Sequence, residues 1–184
     1  MSRPLCPRCR RPQPACVCRF APAVDNEIRL LVLQHPDEQH EAKGTACLLA
    51  LSLRHCELRV GERFDPPADG LENWLLYPGA DAGQPGQPPT QRRLIVLDGS
   101  WRKSRKLLAI NPWLQALPRF SLTPGATSAY APLRKAEQVG QLSTLEAAVH
   151  ALQQMESRPA RYEALLAGFD AFVAAQLARR PIKP

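Results

Sequence analysis

Arg93-Leu94-Ile95-Val96-Leu97-Asp98-Gly99-Ser100-Trp101-Arg102 decides the fold. Leu94 to Leu97 is an unbroken apolar run of strand length, the pattern of a strand covered on both faces rather than one facing water. Such strands belong to parallel sheets with helices packed on either side. Asp98 then stands at the carboxyl end of its strand, where open α/β sheets keep their ligands. Local grammar offers a plainer reading of the same residues. Asp-Gly is a turn dipeptide and Ser100 a good N-cap, so they also serve simply to end a strand and start a helix.

Outward from this stretch the chain alternates. Ile28 to Leu33 is a second apolar run, Thr45 to Leu53 reads as a helix, and Leu58 to Val60 and Trp74 to Tyr77 read as short strands. Residues 78 to 91 hold four prolines and three glycines and form a loop. A helix over 101–110 and a brief strand at Phe120 to Leu122 follow, then an irregular stretch to Gly140. Ser143 and Glu146 stand at capping-box spacing before an Ala/Leu/Val-rich helix running to Glu156. Pro159 to Arg179 makes a last helix with Tyr162, Leu165, Leu166, Phe169, Phe172, Val173 and Leu177 on one stripe, which reads as core packing. The expected fold is α/β, a mostly parallel sheet flanked by helices.

Residues 1–24 are different: rich in Cys, Pro and Arg, with no helical or strand period. Cys6, Cys9, Cys16 and Cys18 follow a C-x2-C-x6-C-x-C spacing, and four thiolates suit a closed tetrahedral Zn²⁺ site of structural type. The alternatives are reduced surface thiols, or His35 or His40 in place of one thiolate. Cys47 and Cys56 lie among leucines and read as buried, inert thiols. The chain is thus expected to divide into a cysteine-rich zinc module, 1–24, and a larger α/β domain, 25–184.

A length of 184 residues with 45% hydrophobic content supports one ordinary domain and a small appendage. The formal charge of +7 and pI of about 9.4 favour a polyanionic partner, nucleic acid first. No apolar run approaches the roughly 18 residues of a membrane helix, and no secretory leader is recognisable, so a soluble cytoplasmic protein is expected. A Walker phosphate loop is missing, and Gly79, Gly83 and Gly86 among prolines lack dinucleotide spacing. A Walker-type cradle is thereby excluded, and classical ATP or NAD binding is not supported.

Asp98-Gly99-Ser100-Trp101 resembles the D-x-T-W element that names the DTW-domain family, with serine keeping the hydroxyl. Gln34-His35-Pro36-Asp37-Glu38, Thr45-Ala46, Tyr77-Pro78-Gly79, Tyr130 with Arg134, and Leu142-Ser143-Thr144-Leu145-Glu146-Ala147 are similar to that family's segments and follow its order. The resemblance, drawn to bacterial members, implies a SPOUT-like fold; whether the chain is knotted is invisible to these patterns. It also implies a tRNA-uridine aminocarboxypropyltransferase, which moves the 3-amino-3-carboxypropyl group of S-adenosylmethionine to uridine N3 and releases methylthioadenosine.

On that resemblance Tyr77, Pro78, Gly79, Leu97, Asp98, Gly99, Leu122, Ser143 and Thr144 would hold the S-adenosylmethionine. Asp98, Ser100 and Trp101 would carry catalysis. Uridine N3 is protonated at neutral pH, so it needs a base or an orienting group, and Asp98 is the candidate. Ser100 would brace Asp98 or meet the cofactor's amino-acid end. Trp101 offers a stacking face or anchors its helix in the core; helical spacing puts Trp101, Ser104 and Leu108 inward. Arg102, Lys103, Arg105 and Lys106 then form a basic face, suited to phosphate contacts or merely solvated. Arg134 and Lys135 extend the tRNA-binding candidates, as do Arg3, Arg8, Arg10, Arg11 and Arg19 of the zinc module. His35 and Glu38 are further site candidates, although a strand-ending turn explains them equally well. Two other classes fit the same features: a SPOUT-type RNA methyltransferase and a non-catalytic zinc-containing RNA-binding protein.

Overall fold

A computed structural model describes residues 4–39, 41, 44–79, 88–122 and 142–178. Its sheet has five strands, all parallel: β1 (Arg29–Gln34), β2 (Cys56–Val60), β3 (Glu72–Leu76), β4 (Arg92–Asp98) and β5 (Arg119–Phe120), in the order β2-β1-β4-β3-β5. The helices are α1 (Ala46–Ser52), α2 (Trp101–Ile110), α3 (Pro112–Gln115), α4 (Thr144–Glu156) and α5 (Glu163–Ala178). The apolar runs at β1 and β4 are the buried centre of this sheet, as their lack of alternation implies. β5 has only two residues and ends before Leu122. The short helix α3 has no counterpart in the sequence reading, and the last helix begins with a 3-10 turn, Pro159–Tyr162.

Strand alternation divides the core. Leu30, Val32, Trp74, Leu94 and Val96 pack with α1, α4 and α5, whereas Leu31, Leu33, Leu75, Ile95 and Leu97 pack with Leu107 of α2 and Leu114 of α3. Each fully buried leucine contributes roughly 1.5–3 kcal/mol relative to exposure. Gln34 and Asp98 share their strands' even-numbered parity, so they emerge at the strand ends toward α4.

From β1 the chain moves outward through α1 to β2, and from β4 it moves the other way through α2 and α3 to β5. The carboxyl ends of β1 and β4, Gln34 and Asp98 in register, are therefore the topological switch point of the sheet.

The cysteine-rich segment is packed into the body of the protein. Cys6, Cys9 and Val17 belong to the same buried cluster as Phe169 and Phe172 of α5, and Phe20 meets Phe172 edge-on with centroids 5.8 Å apart. Gly168 makes that approach possible, because a Cβ there would collide with the Phe20 carbonyl. Among the described residues no helix is long and apolar enough to cross a membrane.

Candidate active site and metal centre

Asp98, the last residue of β4, is only 6% exposed, and both its carboxylate oxygens are held. Gln34 Nε2 donates to Oδ2 at 2.7 Å and Thr144 Oγ1 donates to Oδ1 at 2.6 Å. The His35 backbone N–H donates to the Asp98 carbonyl at 3.0 Å, fastening β1 to the strand end. Thr144 opens α4. Ser143 caps that helix, accepting from the Glu146 N–H while the Glu146 carboxylate accepts from the Ser143 N–H at 2.7 Å. This capping box satisfies the helix start from within and leaves the Thr144 hydroxyl to Asp98.

A cavity of about 570 Å³ opens beside this pair. Tyr77, Pro78, Gly79, Leu97, Leu122, Ser143 and Thr144, all singled out from the sequence, lie in its wall, together with Trp101. Phe120 and Ser121, which no motif marked, also line it, as does Ala147 of the S-T-L-E-A segment. Asp98 and Gly99 stand behind the wall, Asp98 reached through Thr144. The size and mixed lining suit a nucleoside-sized ligand held by apolar walls with a few hydroxyls.

Trp101 does not anchor α2 in the core. It is 39% exposed and sits edge-on to Tyr77, with centroids 6.0 Å apart. The buried residues of α2 are Ser104, as expected, and Leu107, while the expected Leu108 is half-buried and packs against the same core cluster as Leu107. Arg119 packs against two residues of the wall, its guanidinium 5.2 Å from the Tyr77 centroid and donating to the Pro78 carbonyl at 2.8 Å. Ser100 acts as the N-cap of α2, accepting from the Lys103 N–H, and the bracing of Asp98 falls to Gln34 and Thr144.

The basic face of α2 is half neutralised, so Lys103 and Lys106 are neither merely solvated nor open to phosphates. Lys103 Nζ lies 2.9 Å from Glu38 and 3.5 Å from Asp37, and Lys106 Nζ lies 2.7 Å from Glu62. The Glu38 carboxylate raises the Lys103 ammonium above its usual range, and Lys106 lowers Glu62. Arg102 and Arg105 are exposed on the same helix. His35 is buried, with Nε2 3.0 Å from Glu62 and Nδ1 accepting from the Asp37 N–H. Arg3, His40, Tyr130, Arg134 and Lys135 lie outside the described residues.

The four N-terminal thiols converge. Cys6 and Cys18 sulfurs are 3.7 Å apart, Cys9 and Cys16 sulfurs 3.8 Å apart, and all four lie within 4.8 Å of one another. Tetrahedral coordination at about 2.3 Å per Zn–S bond sets thiolate sulfurs about 3.8 Å apart, so the donor set fits such an ion without a histidine. Backbone N–H groups of Cys9 and Arg8 lower the Cys6 thiol to about 6, favouring the ligating thiolate. Burial pushes the Cys18 thiol up to about 12, and a bound ion would displace its proton. Burial likewise raises Cys47, and Cys56 to about 12, as inert thiols require. Arg11 links this cluster to the site: its guanidinium donates to the Glu41 and Gly44 carbonyls at 3.3 and 3.0 Å, just before Thr45, whose hydroxyl accepts from the Leu145 N–H of α4.

Besides Phe120 and Ser121, Gln34 and Arg119 are residues at the site that sequence reasoning missed. Gln34 opened a segment read as a turn, and only the strand register reveals that it faces Asp98. For Arg119 no local signal exists.

A family model described as DTW domain matches residues 3–177. The chain is 32% identical over 195 residues to tRNA-uridine aminocarboxypropyltransferase 2 of Macaca fascicularis, covering 95% of this chain and 64% of the relative. It is 31% identical over 195 residues to the protein of that name from Mus musculus, with the same coverage, and 31% over 175 residues to that from Drosophila melanogaster, covering 85% of this chain and 68% of the relative. The chain thus spans just under two thirds of the length of the first two. These relatives are animal proteins, whereas the resemblance read from the sequence pointed to bacterial members. No solved structure matches the chain significantly.

Proposed function

The chain belongs to the DTW-domain family, and from that premise we propose that it transfers the 3-amino-3-carboxypropyl group of S-adenosylmethionine to N3 of a uridine in tRNA. The observation that carries this reading is the 2.6 Å hydrogen bond from Thr144 to Asp98. It joins the D-x-[ST]-W segment to the S-T-L-E-A segment at the wall of one cavity. A SPOUT-like fold is part of the same proposal, supported by the parallel sheet and by the cavity at the carboxyl ends of its strands.

S-adenosylmethionine supplies an alkyl carbon already activated by its sulfonium leaving group. The protein must therefore choose which carbon the nucleophile meets, and positioning dominates. Tyr77, Pro78, Gly79, Leu97 and Leu122 form the apolar walls for the donor, with Ser143 and Thr144 as polar contacts. N3 forms a bond to the terminal carbon of the aminocarboxypropyl chain as that carbon's bond to sulfur breaks, and methylthioadenosine departs with the electron pair. The proton on N3 must leave, and Asp98 receives or orients it. Arg102 and Arg105 on α2, with Arg134 and Lys135, supply phosphate contacts to the tRNA. The N-terminal thiolates hold Zn²⁺ in a structural role, and the reaction belongs in the cytoplasm, where tRNA is used.

The test is incubation with unmodified tRNA and S-adenosylmethionine, followed by mass spectrometry of nucleosides and small molecules. The expected products are a uridine heavier by one aminocarboxypropyl group and methylthioadenosine. S-adenosylhomocysteine with a methylated nucleoside would assign a methyltransferase instead, and tRNA binding without either product would leave an RNA-binding protein.

A further inference from the structure

We infer that Gln34 is a positioning residue: it keeps the Asp98 carboxylate ionised and fixed in direction, so that the Thr144 hydroxyl turns its proton inward and shows only acceptor lone pairs to the cavity. The inference rests on the proposed transferase reading and adds to it the polarity of the site's polar wall.

Gln34 and Asp98 are the register-paired last residues of neighbouring strands, 5% and 6% exposed, with Nε2 and Oδ2 2.7 Å apart. A carboxylate only accepts, so the amide must present its NH2 edge; turned over, it would set two oxygens against each other in a buried place. The second carboxylate oxygen takes the single proton of Thr144 Oγ1 at 2.6 Å. Donor, acceptor and donor thus run in one fixed order from Gln34 through Asp98 to Thr144. Thr144 lines the cavity, and with its proton committed it can only accept there. The complementary ligand group is an N–H donor, which the ammonium of S-adenosylmethionine and the imide N–H of uracil both provide. Among the described residues, charged groups around this strand end pair with one another, His35 and Lys106 with Glu62 and Lys103 with Glu38 and Asp37, while Glu146 accepts from the Ser143 N–H.

The experiment measures kcat and KM for both substrates across pH in wild-type, Gln34→Glu, Gln34→Met and Thr144→Val proteins of native melting behaviour. Gln34→Glu places a second carboxyl against Asp98, so the pair shares a proton, and the acid limb of kcat/KM should move up by about one pH unit or more. Gln34→Met, neutral and of similar volume, should lower kcat about tenfold or more, and serves if the glutamate variant fails to fold. With Thr144→Val, a raised KM for S-adenosylmethionine assigns the ammonium as the N–H donor, and a raised KM for tRNA assigns the imide. A rise in neither removes the acceptor role from Thr144. Wild-type kcat in Gln34→Met, or an unmoved acid limb in Gln34→Glu, overturns the inference. A wild-type protein that makes no modified uridine overturns the transferase reading instead. In that case the ¹³C titration of the Asp98 carboxyl in the free protein, compared between wild type and Gln34→Glu, still decides the role of Gln34.

Discussion

Thr144 and Asp98 meet at 2.6 Å although α4 and β4 are separated by the whole of α2, α3 and β5. The polar wall of the cavity is a contact between a helix start and a strand end. Asp98→Asn keeps the volume and removes the charge, and should lower product formation by roughly 10²–10⁴-fold while leaving the melting temperature nearly unchanged. Mass spectrometry of modified uridine in single-turnover reactions checks it; wild-type rates in the variant would remove Asp98 from the chemistry.

Fewer cations of α2 are open to a phosphate than its sequence implies. Lys103 and Lys106 are engaged by Glu38 and Glu62, so on the proposed reading Arg102 and Arg105 would carry the phosphate contacts. Replacing both with Ala should reduce the slope of log affinity against log salt by about 0.7–0.9 for each phosphate that an arginine neutralises. Filter binding at several salt concentrations measures this, with Lys106→Ala as the comparison that changes the slope least.

One zinc ion per chain is expected by elemental analysis, and Cys9→Ser should lose it. Because Cys6, Cys9 and Val17 are part of the main core, loss of the ion should lower the melting temperature of the whole protein rather than fray one end. Turnover should fall as well, since Arg11 ties the cluster to the loop that precedes α1 and Thr45 ties that loop to α4. Chelated protein that retains full turnover would show the module to be structurally separate from the site.

Acid should find a weak point at Asp69. Its carboxylate pairs with the buried guanidinium of Arg93, with Nη1 to Oδ1 at 3.0 Å, and this holds Asp69 below the usual carboxylate range. The folded state therefore binds this proton more weakly than the unfolded chain does. The pair's stabilisation is complete above the ordinary aspartate range and disappears as pH falls through the lowered native value. Urea denaturation between about pH 3 and 6 should show wild type losing more stability than Asp69→Asn over that interval; parallel curves would deny the pair this role.

Gly168→Ala should destabilise the protein by roughly 1–3 kcal/mol, because the new methyl meets the Phe20 carbonyl, which is backbone and has little freedom to yield. Thermal unfolding decides the matter, and an unchanged melting temperature would mean that α5 and the cysteine segment can separate.

The strand–turn–helix at 92–110 and the capping box at Ser143 were legible because each depends on a local pattern: an apolar run, an N-cap, a Ser and a Glu three positions apart. What stayed hidden depends on register and on distant partners. Gln34 matters because parallel pairing sets it beside Asp98, and nothing within its own segment reports that. Lys103 and Lys106 looked unopposed because Glu38 and Glu62 arrive from the ends of other strands. Helical spacing placed Trp101 inward, which assumes core on that side, whereas the first turn of α2 faces the cavity. β5, two residues long, has too little length for any period to locate it well.

The order of elements along the chain has a consequence for biosynthesis. Gln34 and Asp98 are translated well before Thr144, and α4 supplies both the donor to Asp98 and a wall of the cavity. A growing chain that has already paired β1 with β4 presents an Asp98 without its second partner and a ligand site without one side. The protein emerging from a ribosome, itself surrounded by tRNA, has no completed cavity until α4, in the last quarter of its sequence, has folded back across the sheet.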